Sequence, residues 1–252
     1  MKEVEILTWN VNWFRGEEIS TESNNYDFAD CKESALNGFI SEINKFFALE
    51  PSVDHIVFAQ EVPYQYRENK ALKPHPFWQK LFEAFPDNKY RIIYKKGESH
   101  LRKNIAIFKV NSGFSEVSVE GIDSPRLIPI KTDYAMFIGV HMPVVNRLLD
   151  KEDKVWTQVI DYTGNNKNVI LAGDFNSYIG CNSKSTEYRY LELLNNAGNI
   201  VSENIKTFNN TTSIDKVLVG KDLNVIHYGI IPQEEQKFSD HRYIVAKLRI
   251  AE

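Results

Sequence analysis

Short apolar runs with the length of β-strands alternate along the chain with longer amphipathic stretches. Ten runs predict strands, and they cover Val4–Val11, Ile56–Ala59, Tyr90–Tyr94, Ile105–Val110, Phe114–Val119, Met136–Val140, Val169–Leu171, Ile214–Val219, Asn224–His227 and Tyr243–Leu248. Four stretches repeat apolar residues at helical spacing and predict helices, and they cover Leu36–Phe47, Phe77–Phe85, Leu148–Tyr162 and Thr186–Asn196. This mixed order of strands and helices favours a layered α/β fold.

Four of the apolar runs are nearly uninterrupted, and each ends on a polar or charged side chain. Such runs are typical of strands that are buried on both faces. The side chains at their ends are Asn10, Glu61, His141 and Asp174. Sheet proteins with covered faces build their sites at strand ends. These four residues are therefore the first candidates for a functional site.

Two further polar clusters lie near the C-terminal end of the chain. Asp215 stands among Ile214, Val217 and Leu218, where an ionised carboxylate needs a partner to offset its desolvation. The segment Ser239-Asp240-His241 precedes the last predicted strand. Any one of these features has an ordinary structural explanation, such as a turn or a solvated strand end. Their combination is what indicates chemistry.

Length and composition fit one globular domain over residues 1–252. The chain is 42% hydrophobic and 25% charged, with a net charge of −4, which argues against a generic DNA coat but allows a local basic groove. Cys31 and Cys181 are its two cysteines, too few for a disulfide scaffold or a zinc cluster. No apolar run reaches the roughly 20 residues of a membrane span, and no signal peptide is visible. We expect a cytoplasmic monomer without an evident protein partner.

The polar strand ends belong to a series of short motifs in a fixed order. The series is Thr8-Trp9-Asn10-Val11-Asn12, Gln60-Glu61, the strand end at His141, Gly173-Asp174-Phe175-Asn176, Ile214-Asp215 and Ser239-Asp240-His241. With these motifs the chain resembles the endonuclease/exonuclease/phosphatase superfamily, which includes deoxyribonuclease I and the exonuclease III-type abasic-site nucleases. The motifs extend over nearly the whole chain. The resemblance implies a four-layer α/β/β/α sandwich of two mixed β-sheets flanked by helices.

The resemblance also implies a divalent metal. A phosphate ester carries negative charge that repels a nucleophile, and a divalent cation relieves this repulsion. Mg²⁺ prefers oxygen ligands and keeps several waters, so one or two carboxylates suffice. The matching positions imply Glu61 as the main ligand, with Asn10 and Asp240 as further ligands. We therefore expect Mg²⁺ as the cofactor, with Mn²⁺ as a substitute, and a zinc site is less natural for this chain.

The same resemblance implies a set of catalytic residues. Asp174 matches the base that activates the attacking water, and Asn176 would donate to the phosphoryl oxygens. His241 would approach the scissile phosphate, with its tautomer and orientation set by Asp215. His141 would be a second phosphate contact or the proton donor to the leaving oxygen.

Two departures from the family pattern bear on the substrate. Deoxyribonuclease I-like members carry a glutamate that supports the histidine matching His141, whereas the segment Leu101-Arg102-Lys103-Asn104 has no acid. Arg102 or Asn104 would instead contact phosphate, and Arg126 is a further candidate for substrate binding. Abasic-site nucleases carry a Trp and a Tyr beside the late aspartate, and both are missing around Asp215. General phosphodiesterase activity is therefore favoured over abasic-site repair.

A basic segment offers a second place for phosphates. Six basic residues fall within fifteen positions, and they are Lys89, Arg91, Lys95, Lys96, Arg102 and Lys103. Around a hairpin turn at Gly97 they would form an edge that follows a phosphate backbone. The alternative is a soluble edge strand that lysines protect from aggregation.

Together these residues predict a magnesium-dependent phosphoesterase. The first expectation is a nuclease that hydrolyses DNA or RNA through a water activated by Asp174. The alternative within enzymes is a phosphatase, or a phosphoesterase of inositol phosphates or phospholipids, with the same core. A non-catalytic binding module is a third reading, and the intact motif residues argue against it.

Overall fold

Fourteen β-strands and four α-helices lie in the part of the chain that the computed structural model describes. That part comprises residues 1–16, 31–50, 52–95, 101–144, 150–177, 186–201, 205–209, 211–229 and 238–250. The strands are β1 (Lys2–Asn10), β2 (Asp54–Pro63), β3 (Gln65–Glu68), β4 (Ala71–Pro74), β5 (Tyr90–Ile93), β6 (Arg102–Lys109), β7 (Ser115–Glu116), β8 (Leu127–Lys131), β9 (Met136–His141), β10 (Val169–Asp174), β11 (Gly198–Ile200), β12 (Asp215–Gly220), β13 (Asn224–Gly229) and β14 (Ile244–Ile250). The helices are α1 (Glu33–Ala48), α2 (Pro76–Ala84), α3 (Asp150–Asn165) and α4 (Thr186–Ala197).

The strands form two six-stranded sheets and a separate hairpin of β3 and β4. The strand order is β13-β14-β1-β2-β6-β5 in the first sheet and β11-β12-β10-β9-β8-β7 in the second. Each sheet contains one parallel pair, β1 with β2 and β9 with β10, and its other pairs are antiparallel. Both sheets are therefore mixed.

The two sheets pack face to face, and helices cover their outer faces. Alternate residues of each sheet point inward and meet in a central core, as the two-residue period of a strand requires. Gly139 shows how close the sheets come, since a Cβ there would lie 2.2 Å from the Phe58 ring. The outer face of the first sheet packs on α1 and α2, and that of the second packs on α3 and α4. The predicted four-layer α/β/β/α sandwich is confirmed.

All ten predicted strands and all four predicted helices overlap observed elements. The sequence patterns missed β3, β4, β8 and β11. Strands β3 and β4 are largely exposed and so have no apolar alternation, whereas β8 contains Pro129, which is rarely found inside a sheet. Among the described helices, none combines the length and the apolar character needed to cross a lipid bilayer.

Candidate active site

The polar strand ends meet at one edge of the sandwich because of strand register. Asp174 at the end of β10 pairs with His141 on one side and with Asp215 on the other. Paired residues of adjacent strands point to the same face, and here that is the inner face. In the first sheet, Asn10 pairs with Gln60 at the corresponding ends of β1 and β2. The ends of both parallel pairs therefore contribute to one cluster.

Asp174 lies at the centre of this cluster and is 2% exposed. Its Oδ2 accepts a hydrogen bond from Asn10 Nδ2 at 3.0 Å, and its Oδ1 accepts one from the backbone N–H of Asn176 at 2.8 Å. Burial raises the pKa of Asp174 to about 7, and the charge of Asp215 adds to this rise. A carboxylate with a pKa near neutrality can exchange a proton with water at physiological pH.

Gly173 allows Asp174 to reach its position. A Cβ at Gly173 would lie 1.8 Å from the backbone oxygen of Val140, a distance that no side chain tolerates. Strands β9 and β10 therefore approach closely just before the site, and only glycine fits there.

A left-handed turn fixes Asn10. Its Oδ1 accepts a hydrogen bond from the backbone N–H of Asn12 at 2.9 Å, while its Nδ2 donates to Asp174. Residues Asn12, Trp13 and Phe14 all have positive φ angles, of 44°, 57° and 55°. Each such residue costs about 1–2 kcal/mol, and strain of this kind is often found at functional sites. Both ends of the Asn10 amide are thus held in place.

Asp215 and His241 form a buried pair. His241 Nδ1 lies 2.8 Å from Asp215 Oδ2, and Asp215 is fully buried. Burial lowers the pKa of His241, but the charge of Asp215 and this hydrogen bond outweigh it and raise the pKa to about 10. His241 therefore carries a positive charge at neutral pH. The carboxylate of Asp215 has the partner that its apolar sequence neighbours require.

Several contacts hold the backbone and ring of His241. Trp9 Nε1 donates to its carbonyl oxygen at 3.0 Å, and its backbone N–H donates to Ser239 Oγ at 3.1 Å. The Ser239 hydroxyl in turn donates to the carbonyl of Asn10 at 2.7 Å. The Phe208 ring lies 4.8 Å from the imidazole, centroid to centroid. Ser239 thus ties the C-terminal motif to the end of β1.

Glu61 is turned toward the site by a β-bulge. The pairing of β2 with β6 shifts between Ala59 and Val62, and Glu61 has a φ of 59°. Its Oε2 lies 2.6 Å from Arg102 Nη1 and its Oε1 lies 3.5 Å from His141 Nε2. Burial raises the pKa of Glu61, but the charge of Arg102, together with that of His241, outweighs it, so the pKa is lowered. Glu61 is therefore an ionised carboxylate.

His141 is neutral in this environment. Burial lowers its pKa to about 3, and the charges of Arg126 and Arg102 add to this effect. The nearest carboxylate to its Nε2 among the described residues is that of Glu61, at 3.5 Å, and its charge opposes this fall of the pKa without cancelling it. Arg102 contacts Glu61, and Arg126 Nη1 donates to the backbone oxygen of His141 at 3.2 Å. Sequence reasoning missed this contact between Glu61 and His141.

The remaining predicted site residues lie at the same edge. Asp240 Oδ1 lies 3.9 Å from His241 Nε2, and burial raises the pKa of Asp240 to about 6. Asn104 lies two residues after Arg102 on β6, and two-residue spacing places both on the inner face together with Ala106. The structure therefore brings together ten of the eleven residues proposed as catalytic, metal-binding or substrate-binding, and alternation along β6 places the eleventh, Asn104, on the same face; their roles stay predictions.

The basic segment does not form one row. Arg91 Nη1 donates to the carbonyl of Asp87, and Lys95 Nζ donates to that of Ile122. Lys103 is buried, with its Nζ 4.9 Å from the centre of the Tyr64 ring. Lys96 and Gly97 lie outside the described residues. The described basic residues thus serve separate local contacts, and the prediction of a continuous phosphate-following edge is wrong for them.

The donor set fits a divalent cation. Ligand atoms of Asp174, Asp215 and His241 all lie within 4.8 Å of one another. Within the described part of the chain, the buried Oδ1 of Asp215 has no hydrogen-bond partner. The raised pKa values of Asp174 and Asp240 reflect acids crowded into one buried site, and a cation would let all of them ionise. The carboxylate oxygens of Asp174, Asp215 and Asp240 are donors of the kind that a hard divalent ion prefers.

Two supporting residues were not among the sequence-based candidates. Thr207 Oγ1 accepts a hydrogen bond from the backbone N–H of Asp215 at 3.1 Å, and Ser239 links His241 to Asn10. Ser239 stands inside a recognised motif and was within reach of sequence reasoning. Thr207 has no such signal, because its contact depends on how its loop folds back onto β12.

The sequence profile of the Endonuclease/Exonuclease/phosphatase family matches residues 7–241. The chain belongs to this family. No sequence of a curated protein matches it. The members of the Endonuclease/Exonuclease/phosphatase family act on phosphate esters, and membership therefore supports a phosphoesterase.

Solved structures support the same fold. One is a family protein from Bacteroides thetaiotaomicron, with 16% identity, a TM-score of 0.62, and coverage of 100% of this chain and 98% of that chain. A 3′ phosphatase, NExo, from Neisseria with a product DNA hairpin has 14% identity, a TM-score of 0.57, and coverage of 97% and 99%. TDP2 from D. rerio with a single-stranded DNA product has 13% identity, a TM-score of 0.59, and coverage of 99% and 100%. At such identities the likeness shows the fold alone.

Proposed function

We propose that this protein is a magnesium-dependent phosphodiesterase that hydrolyses DNA or RNA. The observation that carries the proposal is the arrangement around Asp174. A buried carboxylate with both oxygens fixed, and with a pKa of about 7, lies beside the imidazolium of His241, which is paired with Asp215. This places a proton acceptor next to a phosphate-binding charge, which water attack on a phosphate ester requires.

Glu61 would be the main ligand of the metal, with Asn10 and Asp240 as further ligands. Asn10 Oδ1 accepts one hydrogen bond from Asn12, and a carbonyl oxygen has a second lone pair for an ion. When bound, Mg²⁺ would neutralise charge on the phosphoryl oxygens. The absence of a thiolate in this donor set favours Mg²⁺ or Mn²⁺ over softer metals.

The protein's own side chains would perform the proton transfer and bind the phosphate. Asp174 would accept the proton of the attacking water. His241 would contact the phosphoryl oxygens as an imidazolium, and Asn176 would donate to them through the second hydrogen of Nδ2, whose first is given to the carbonyl of Met142. His141, with its pKa of about 3, is neutral. We therefore favour it as a phosphate contact through an N–H over a role as an imidazolium acid.

Arg102, Arg126 and Asn104 would bind the rest of the substrate. Arg102 contacts Glu61, and Arg126 donates to the backbone oxygen of His141. A guanidinium binds phosphate in a planar, two-pronged geometry. A nucleic acid is favoured as the substrate because two of the similar structures contain DNA. The alternative is a phosphomonoester, since one of them is a 3′ phosphatase.

Hydrolysis assays on the purified protein test the proposal. Single-stranded and duplex DNA, RNA, a nitrophenyl phosphodiester and inositol phosphates would each be incubated with Mg²⁺ or with EDTA. We expect cleavage of a nucleic acid and of the nitrophenyl diester in Mg²⁺ only. In the same assays Asp174→Asn should be about 10²–10⁴-fold slower than the parent, and Asp161→Asn, which changes an exposed acid on α3, should retain activity. Release of phosphate from monoesters alone would favour the phosphatase, and activity in EDTA would refute the metal mechanism.

A further inference from the structure

Glu61, which we propose as the main metal ligand, forms an ion pair with Arg102. Arg102 Nη1 lies 2.6 Å from Glu61 Oε2, a short distance for a charge-assisted hydrogen bond. The side chains of Glu61 and Arg102 are 16% and 29% exposed. The second oxygen of Glu61 faces His141 at 3.5 Å. One oxygen of this carboxylate is therefore paired with a cation, and the other faces an imidazole.

The backbone builds this ion pair. Arg102 pairs with Pro63 across β2 and β6, and the bulge between Ala59 and Val62 turns Glu61 out of the regular alternation. Arg102 is on the inner face of β6, in line with Ala106 and Phe108. Strand register and the bulge therefore position the charges of Glu61 and Arg102 next to each other.

We propose that Arg102 is an internal counterion that competes with the divalent metal for Glu61 and is released to the substrate phosphate when the metal binds. This inference rests on the proposed function, because it takes Glu61 as the metal ligand. In the metal-free protein the guanidinium compensates the charge of Glu61. A divalent ion on the same oxygen repels the guanidinium and breaks its ion pair with Glu61.

The chemistry of the guanidinium favours the substrate phosphate as its next binding partner. A carboxylate and a phosphate present the same pair of acceptor oxygens, and arginine binds either one with two parallel N–H groups. Arg102 is partly exposed, and it lies close enough to His141 for its charge to lower the pKa of that residue. Metal binding would therefore prepare the phosphate site. In the absence of metal the same residue is held on Glu61 and binds substrate poorly.

Metal titration without substrate tests the inference. Isothermal titration calorimetry with MnCl₂ would compare the parent with Arg102→Gln, and with Arg91→Gln as a matched control whose guanidinium contacts a backbone carbonyl far from the site. We expect Arg102→Gln to bind Mn²⁺ about tenfold more tightly, within the usual range of coupling between two ligands. Arg91→Gln should bind it as the parent does. At saturating metal, Arg102→Gln should also raise KM for a nitrophenyl phosphodiester much more than it lowers kcat.

The outcomes separate the two proposals. If Arg102→Gln binds Mn²⁺ no more tightly than the parent, or if its KM is unchanged, Arg102 is a fixed structural partner and the inference is overturned. If the parent binds no divalent metal, the proposed function fails instead. If Glu61→Gln leaves the Mn²⁺ affinity intact, the ion binds elsewhere in the site and this inference is overturned. Should Arg102→Gln be unstable in a thermal melt, Arg102→Lys provides the second test. It keeps the charge but loses the two-pronged geometry, so its Mn²⁺ affinity should lie near that of the parent while its KM rises.

Discussion

Asp215 and His241 are 26 residues apart in the chain, and they form one hydrogen-bonded ion pair at 2.8 Å in the buried centre of the site. The carboxylate is fully buried and the imidazolium nearly so. Their effects on turnover should not add, because groups that act as a unit are strongly non-additive. The double variant of Asp215→Asn and His241→Ala should be about as slow as His241→Ala alone.

Steady-state kinetics of the parent, the two single variants and the double variant measure this coupling. Asp222→Asn, an exposed acid just beyond β12, is the matched control and should keep the parent's turnover. The catalytic pair would be refuted if the losses of activity in the two single variants multiplied in the double variant. The same holds if thermal melts traced those losses to a smaller folded fraction, with turnover per folded molecule unchanged.

Asp174→Asn should lower kcat about 10²–10⁴-fold, the usual range for a positioned acid or base. The amide keeps the shape of the side chain but cannot accept a proton from water. Substrate affinity, measured by fluorescence anisotropy of a labelled oligonucleotide, should change little. Near-normal turnover in this variant would move the base elsewhere, with Asp215 next to be tested.

Glu61→Gln should weaken binding of Mg²⁺ strongly while the fold is retained. The substitution removes the negative charge and nearly preserves the shape. EDTA should abolish the activity of the parent, and added Mg²⁺ or Mn²⁺ should restore it. Glu116→Gln, in the exposed strand β7, serves as control. Parent-like metal affinity of Glu61→Gln in calorimetry would assign the ion to the cluster of Asp174, Asp215 and His241.

The free energy of unfolding should fall as pH is lowered from about 6.5 to about 4, because of His75. This buried residue caps α2, where its Nδ1 accepts a hydrogen bond from the backbone N–H of Phe77 at 3.1 Å. Burial lowers its pKa from 6.5 to about 4. Between pH 6.5 and pH 4 His75 takes up a proton in the unfolded chain but not in the folded chain. Its contribution to the free energy of unfolding is therefore fully present above pH 6.5 and is lost as the pH falls to about 4. The total loss would be about 3 kcal/mol.

Urea unfolding at a series of pH values measures this loss. His75→Asn keeps a good helix cap but cannot titrate, so its stability should vary less with pH over the same window. The exposed His227 offers the control His227→Gln, whose pH dependence should match that of the parent. An identical pH slope in His75→Asn and the parent would contradict the role of His75.

The local patterns of the sequence were sufficient to predict the helices and most strands, whereas the roles of the proposed site residues stay predictions. Uninterrupted apolar runs predicted buried strands, and their polar ends, Asn10, His141 and Asp174, lie together at one edge of the sandwich. Family motifs added the four-layer arrangement. The extent of the domain, the cytoplasmic location and the monomeric state stay predictions.

Other features were decided by the tertiary structure alone. The bulge at Glu61, its ion pair with Arg102 and its contact with His141 depend on which residues face each other across strands, and register is a property of two distant segments. The basic residues Lys95 and Lys103 are close in sequence but lie in separate surroundings for the same reason. Alternation along one strand tells which face a side chain takes. Only the packing of strands and sheets determines which charged groups lie beside that side chain, and these neighbours set its pKa and its chemistry.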